Sequence, residues 1–134
     1  MASEKCRVLL IDDNYQFRRR IRLKYLSLCE VTELPSGAKL AEILQSMHVD
    51  CILMDYQLPG ASGEELVRLA RQMEYHGAIV AISSSEYFNN LLLRAGADTA
   101  VIKREAHFLP QMIRQGLSLA EARWGTARCE FESP

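Results

Sequence analysis

The chain has 134 residues, of which 49% are hydrophobic and 25% charged, and its formal net charge is −1. That length suits one domain with a core of its own, and the mix excludes disordered and collagen-like chains. No apolar run approaches the ~20 residues of a membrane helix, and the opening Met-Ala-Ser-Glu-Lys-Cys holds no apolar signal core.

A charge so near zero offers no argument for nucleic acid or an acidic membrane as a partner. The cysteines are Cys6, Cys29, Cys51 and Cys129. None forms a CxxC pair, and His48, His76 and His107 lie far from them, so the spacing argues against structural zinc. Cys6 and Cys51 fall in apolar runs, where cysteine acts as a small buried hydrophobe. The expected setting is reducing and cytoplasmic.

In chain order, Val8-Leu9-Leu10-Ile11 is a continuous apolar run that stops at Asp12-Asp13. Phe17, Ile21, Tyr25 and Leu28 then recur at helical spacing, with Arg18, Arg19, Arg20, Arg22 and Lys24 between them as an expected solvated face. A weaker run, Val31-Thr32-Glu33-Leu34, ends at Pro35-Ser36-Gly37, and Leu40, Ile43, Leu44 and Met47 form a second helical stripe. Cys51-Ile52-Leu53-Met54 stops at Asp55; Leu66, Leu69, Ala70 and Met73 follow as a third stripe. Ala78-Ile79-Val80-Ala81-Ile82 stops at Ser83-Ser84-Ser85, and Leu91 to Ala95 form a short fourth helix. Ala100-Val101-Ile102 stops at Lys103, and Leu109, Ile113, Leu117 and Ala120 mark a fifth helix. Short unbroken apolar runs are strands buried on both faces. Their alternation with helices predicts an α/β fold with a parallel sheet and helices on both sides. One domain over residues 1–124 is expected, with an aperiodic tail, 125–134, as a linker remnant or frayed end.

Ligands of open parallel sheets bind beyond the carboxyl ends of the strands. Those ends here carry Asp12-Asp13, Asp55, Ser83 and Lys103. Three carboxylates stay ionised together only with a cation among them. Mg²⁺ suits such a set, and the ammonium and hydroxyl suit a phosphoryl group, for which a carboxylate can be the nucleophile.

These residues resemble the receiver domain of two-component response regulators, from about Val8 to about Leu119. The likeness rests on Asp12-Asp13, the segment Asp55-Tyr56-Gln57-Leu58-Pro59-Gly60-Ala61-Ser62-Gly63, Ser83, Gly96-Ala97-Asp98 and Lys103, in that order. It implies a flavodoxin-like fold, a five-stranded sheet in the order 2-1-3-4-5 with five helices. It implies Asp55 as phosphoacceptor, Mg²⁺ held by Asp13, Asp55 and the Gln57 carbonyl with Asp12 acting through water, and Ser83 and Lys103 on phosphoryl oxygens. The donor would be a histidine kinase or histidine phosphotransfer protein, and the output a downstream protein target rather than nucleic acid or membrane. Such a domain catalyses its own phosphorylation and dephosphorylation, and on this basis the chain is expected to be a phosphoacceptor rather than an enzyme. The fourth helix, fifth strand and fifth helix commonly form a dimer or target face in this family, and the first helix commonly helps to recognise the donor.

Two positions depart from the family pattern. Arg104 follows Lys103 where proline, with a cis bond, is usual; cis at a non-proline costs ~3 kcal/mol. Ala100 stands where an aromatic ring usually reports activation, leaving Tyr87 or Phe88, in the loop from Ser84 to Asn90, as substitutes. That loop is also short for the family. The competing readings are a degenerate receiver used only for protein binding, an enzyme of the haloacid-dehalogenase type and a flavodoxin-like nucleotide or flavin binder. The second wants an aspartate where Gln57 stands; the third wants a glycine or hydroxyl loop where Asp12-Asp13-Asn14 stands. No output module follows the fifth helix, so the chain is either a stand-alone receiver or a fragment of a larger regulator.

Overall fold

Residues 5–126 and 129–134 are described in the computed structural model. Strands form where the apolar runs lie: β1 (Arg7–Ile11), β2 (Glu30–Leu34), β3 (Cys51–Met54), β4 (Ala78–Ser83) and β5 (Thr99–Ile102). They pair in parallel in the order β2-β1-β3-β4-β5. The order explains the composition. The three central strands are buried almost throughout, whereas β2 and β5 are edges and keep half-exposed positions. The helices are α1 (Tyr15–Tyr25), α2 (Leu40–Ser46), α3 (Gly63–Gln72), α4 (Glu86–Ala95) and α5 (Leu109–Trp124).

Successive strand residues point to opposite faces, so each strand feeds two apolar layers. Val8, Leu10, Leu53, Val80 and Ile82 meet Phe17 and Ile21 of α1 and Ile113 and Leu117 of α5. Leu9, Ile11, Ile52, Ile79 and Ala81 meet Leu40, Leu66, Val67 and Leu92 of α2, α3 and α4. Some members of the helical stripes fall outside this packing, Leu93 of α4 among them. Leu28 and Met47 lie beyond the helix ends and are exposed, while Leu26, the residue closing α1, is fully buried. No helix among the described residues is long and apolar enough to cross a membrane.

After β5 the chain enters a 3-10 helix, Lys103–Phe108, that runs directly into α5. No peptide bond among the described residues is cis, so Lys103–Arg104 is trans. Gly125 ends α5 in the left-handed region, φ +66°, where a side chain would be strained. Beyond this turn, Phe131 is buried in the first apolar layer.

The expectation for the cysteines is corrected at one pair. Cys6, just before β1, forms a disulfide with Cys129, 123 positions away. It therefore acts as a covalent tie rather than a simple core hydrophobe. Cys29 and Cys51 are free. Cys51 behaves as expected, and burial pushes its thiol well above the ordinary value.

Candidate functional site

The acidic residues stand one step past strands whose ladders they extend. Asp12 N–H donates to Leu34 O at 3.1 Å, and Asp55 N–H donates to Ile11 O at 3.1 Å. Both backbones are thus fixed by the sheet, and both residues are buried, at 0% and 4% exposure. Asp13 is exposed. Carboxylate oxygens of Asp12, Asp13 and Asp55 lie within 4.8 Å of one another. The start of α3 packs against the backbone of Asp55 and Tyr56. A Cβ added at Gly63 would stand 1.8 Å from the Asp55 carbonyl oxygen, so only glycine fits there.

Lys103, the first residue of the 3-10 helix, reaches into the group. Its Nζ lies 2.7 Å from Asp12 Oδ2 and 3.2 Å from Asp55 Oδ2. Burial lowers the affinity of this ammonium for its proton, but the two carboxylates outweigh burial and hold it above its ordinary range. The trans bond to Arg104 therefore does not prevent Lys103 from reaching the pocket.

Asp12 Oδ1 accepts from Asn14 N–H at 2.8 Å. Asp12 Oδ2 is buried and has no hydrogen bond of good geometry among the described residues; the Lys103 charge is its one neighbour in an ion pair. A buried carboxylate oxygen left in this way fits a cation.

Asp55 Oδ1 accepts from Tyr56 N–H at 2.8 Å. Burial and the neighbouring Asp12 charge raise the Asp55 carboxyl to about 6, against the opposing pull of Lys103 and of Tyr56 N–H. An unfolded aspartate titrates near ~3.9. The folded state therefore holds the proton more tightly, and the stability linked to that proton, full below about pH 4, is lost as pH rises through about 6. Asp55→Asn removes this loss. Without divalent metal, the variant is expected to be more stable than wild type by about 1–2 kcal/mol at pH 8 and equal to it at pH 4. That range is roughly half of the full linkage, because water reaches the group from the side of the exposed Asp13 and screens it. Urea melts in chelator at the two pH values check it; an equal gap at both would refute the linkage.

Ser83 ends β4 opposite Ile102 of β5 and is fully buried. Its hydroxyl is turned to Asn89 Oδ1 at 2.6 Å and to Ser85 O at 3.0 Å. Of the three serines there, Ser85 caps α4, accepting from Phe88 N–H at 3.1 Å. Because α4 begins at Glu86, the expected loop from Ser84 to Asn90 shrinks to Ser84 and Ser85. Tyr87 is exposed, whereas Phe88 stacks on Tyr56 with centroids 4.5 Å apart. Gln57 lies in the exposed turn after Asp55.

Three supporting residues escape sequence reasoning. Phe17, a core residue by periodicity, also places its ring under Lys103 Nζ, 4.5 Å from the centroid. Arg18, expected on the solvated face, is instead mostly covered. It donates from Nη1 to Asp12 O at 2.5 Å and from Nε to Glu33 at 3.0 Å. The third is Asn89. Each of these roles depends on a partner from another element, so only packing reveals it.

The carboxyl edge of this doubly wound parallel sheet thus gathers three aspartates and a lysine. Residues 8–114 match the family model of the response regulator receiver domain, and the chain belongs to that family, the receivers of two-component signalling. Among curated relatives, the nitrate/nitrite response regulator NarL of Escherichia coli K12 is 30% identical over 106 residues, 75% of this chain and 49% of that protein. The two-component response regulator ARR15 of Arabidopsis thaliana is 32% identical over 98 residues, 63% of this chain and 48% of that protein. The chain thus spans about half the length of these relatives. Among solved structures, the receiver domain of an HD domain-containing protein from Pseudomonas fluorescens Pf-5 superposes with TM-score 0.82 at 16% identity, covering 95% of this chain and 97% of that one. The response regulator TrrA of Thermotoga maritima, solved with Mg²⁺ and BeF, superposes with TM-score 0.72 at 21% identity, covering 82% and 97%.

Family membership corrects two expectations. Receiver domains phosphorylate themselves from phosphodonors and dephosphorylate themselves, which is catalysis, so the expectation of no enzyme does not stand. The physical reason is that one carboxylate both forms and loses the acyl phosphate. The exclusion of nucleic acid is also unsupported. TorR of E. coli K12, 38% identical over 74 residues (54% of this chain, 32% of that protein), is by name a transcriptional regulatory protein.

Proposed function

We propose that Asp55 accepts a phosphoryl group from a histidine kinase or histidine phosphotransfer protein, and that the acyl phosphate switches binding to a downstream protein. One observation carries this reading: the Asp12, Asp13 and Asp55 oxygens converge within 4.8 Å, and Lys103 bridges two of these residues. A carboxylate oxygen of Asp55 attacks phosphorus, an O–P bond forms and the N–P bond to the donor imidazole breaks. Asp12, Asp13 and Asp55, with the Gln57 carbonyl, would hold Mg²⁺. The ion would offset the charge gathered by the aspartates and the phosphoryl oxygens. Lys103 pairs with one of those oxygens, and Ser83 donates to another once its hydroxyl turns. We place this exchange in the cytoplasm, with its donors.

A degenerate binding module is not favoured, since the acidic set and the lysine are all present and brought together. The test is intact mass after incubation with a small phosphodonor, with and without Mg²⁺. A gain of one phosphoryl group that needs Mg²⁺ and is lost in Asp55→Asn is expected. No gain, even with a histidine phosphotransfer donor, would reject the proposal.

A further inference from the structure

With Ala100 in place of the usual aromatic, some other group must carry the state of the pocket into the fold. The Ser83 hydroxyl has one proton. It is shared between two acceptors, Asn89 Oδ1 at 2.6 Å and Ser85 O at 3.0 Å. Asn89 lies in α4 and is buried. The other end of its carboxamide is committed too: Nδ2 donates to Val101 O of β5 at 2.9 Å. That bond settles which amide atom faces Ser83, because the Val101 carbonyl needs a donor. One side chain therefore links the end of β4, the first turns of α4 and the backbone of β5.

We infer that Asn89 is the positioning residue that holds Ser83 away from the pocket and passes its release to α4 and β5. This inference rests on the reading of Asp55 as phosphoacceptor. When the Ser83 proton goes to a phosphoryl oxygen, Asn89 Oδ1 is left buried without a donor. An unpaired buried carbonyl is costly, so the carboxamide must turn or α4 must move, and either disturbs the bond to Val101. The next residue back, Phe88, stacks on Tyr56, the neighbour of Asp55. The same turn of α4 thus touches the pocket at a second place. A core asparagine serving only to satisfy Val101 would need no serine on its other end.

The test uses the whole chain, labelled with ¹⁵N, in Mg²⁺ with and without beryllofluoride. The Tyr56 amide reports occupancy of Asp55, and the Asn89 carboxamide reports release of Ser83. Both are expected to shift together in the wild type, along with Val101 and Ile102. In Asn89→Leu, which removes the competing acceptor, beryllofluoride is expected to bind several-fold more tightly, while the response at Val101 and Ile102 falls by more than half. If Tyr56 shifts and the Asn89 carboxamide does not, the inference is wrong and the phosphoacceptor reading stands. If Tyr56 itself does not respond, both are wrong. The wild-type spectrum decides between these even if Asn89→Leu does not fold.

Discussion

Asp98→Ala is expected to destabilise the domain by about 3–5 kcal/mol, the usual result of removing one partner from a buried ion pair. The Asp98 carboxylate is fully buried. Its Oδ2 accepts from Ile79 N–H at 2.8 Å and from Arg71 Nη2 at 2.9 Å, and its Oδ1 accepts from Arg123 Nη1 at 2.8 Å. Asp98 N–H in turn donates to Ile79 O at 2.8 Å. The side chain thus supplies β4 with the acceptor that a longer β5 would have provided. Alanine leaves a buried N–H unpaired and the Arg71 guanidinium, mostly covered, without its counter-charge. The Arg123 pair is half exposed on the arginine side and adds little. Burial pushes the Asp98 carboxyl up from its ordinary value despite these partners. The pair is therefore costly to halve without being a strong net source of stability. Two further variants separate these effects. Asp98→Asn keeps an acceptor for Ile79 and should cost less than alanine. Arg71→Met added to Asp98→Ala should recover part of the loss, since no unpaired charge remains. Urea melts at pH 7 check all three; a loss under about 1 kcal/mol for Asp98→Ala would show that water reaches Arg71 freely.

The elements legible in the sequence are those whose environment is uniform along the segment. β1, β3 and β4 are buried on both faces and read as plain apolar runs. β2 is an edge strand and reads faintly for that reason. Asp12, Asp55 and Lys103 were legible because a polar residue ending such a run has one place to go, the carboxyl edge of the sheet. Residues whose role depends on what a neighbouring element brings to them were not. Arg18 looks like its neighbours Arg19 and Arg20 until α1 is laid against β2 and Asp12. Asn89 fell within the expected loop from Ser84 to Asn90, and only its place in α4 and its two partners from different strands reveal its role. The departure at Arg104 was visible, but not its result, a trans bond leading straight into a 3-10 helix.

Reducing the Cys6–Cys129 disulfide is expected to cost about 3–5 kcal/mol, and to lower the melting temperature by about 10 °C or more. Its effect comes first from the unfolded chain. The bond joins cysteines 123 positions apart, spanning nearly the whole sequence, and a cross-link of that span removes much of the freedom of the unfolded state. In the folded state it adds a second effect. Cys6 precedes β1, so the bond pins the segment after α5 at the end of the sheet away from the aspartates, and Phe131 is buried beside it. Arg114 of α5 ties the same segment by donating to Ser133 Oγ at 2.9 Å. Without the bond, Phe131 and the Arg114 contact must hold the segment against the entropy of a free end. The cytoplasm proposed for the phosphoryl exchange is reducing, so there the segment is held more weakly than in air-oxidised protein. Thermal melts with and without a dithiol reductant measure the difference, and Cys129→Ser supplies the control. The variant should match reduced wild type and ignore the reductant. Superimposable melts of oxidised and reduced wild type would mean that Phe131 and Arg114 suffice, and that the covalent tie contributes nothing to stability.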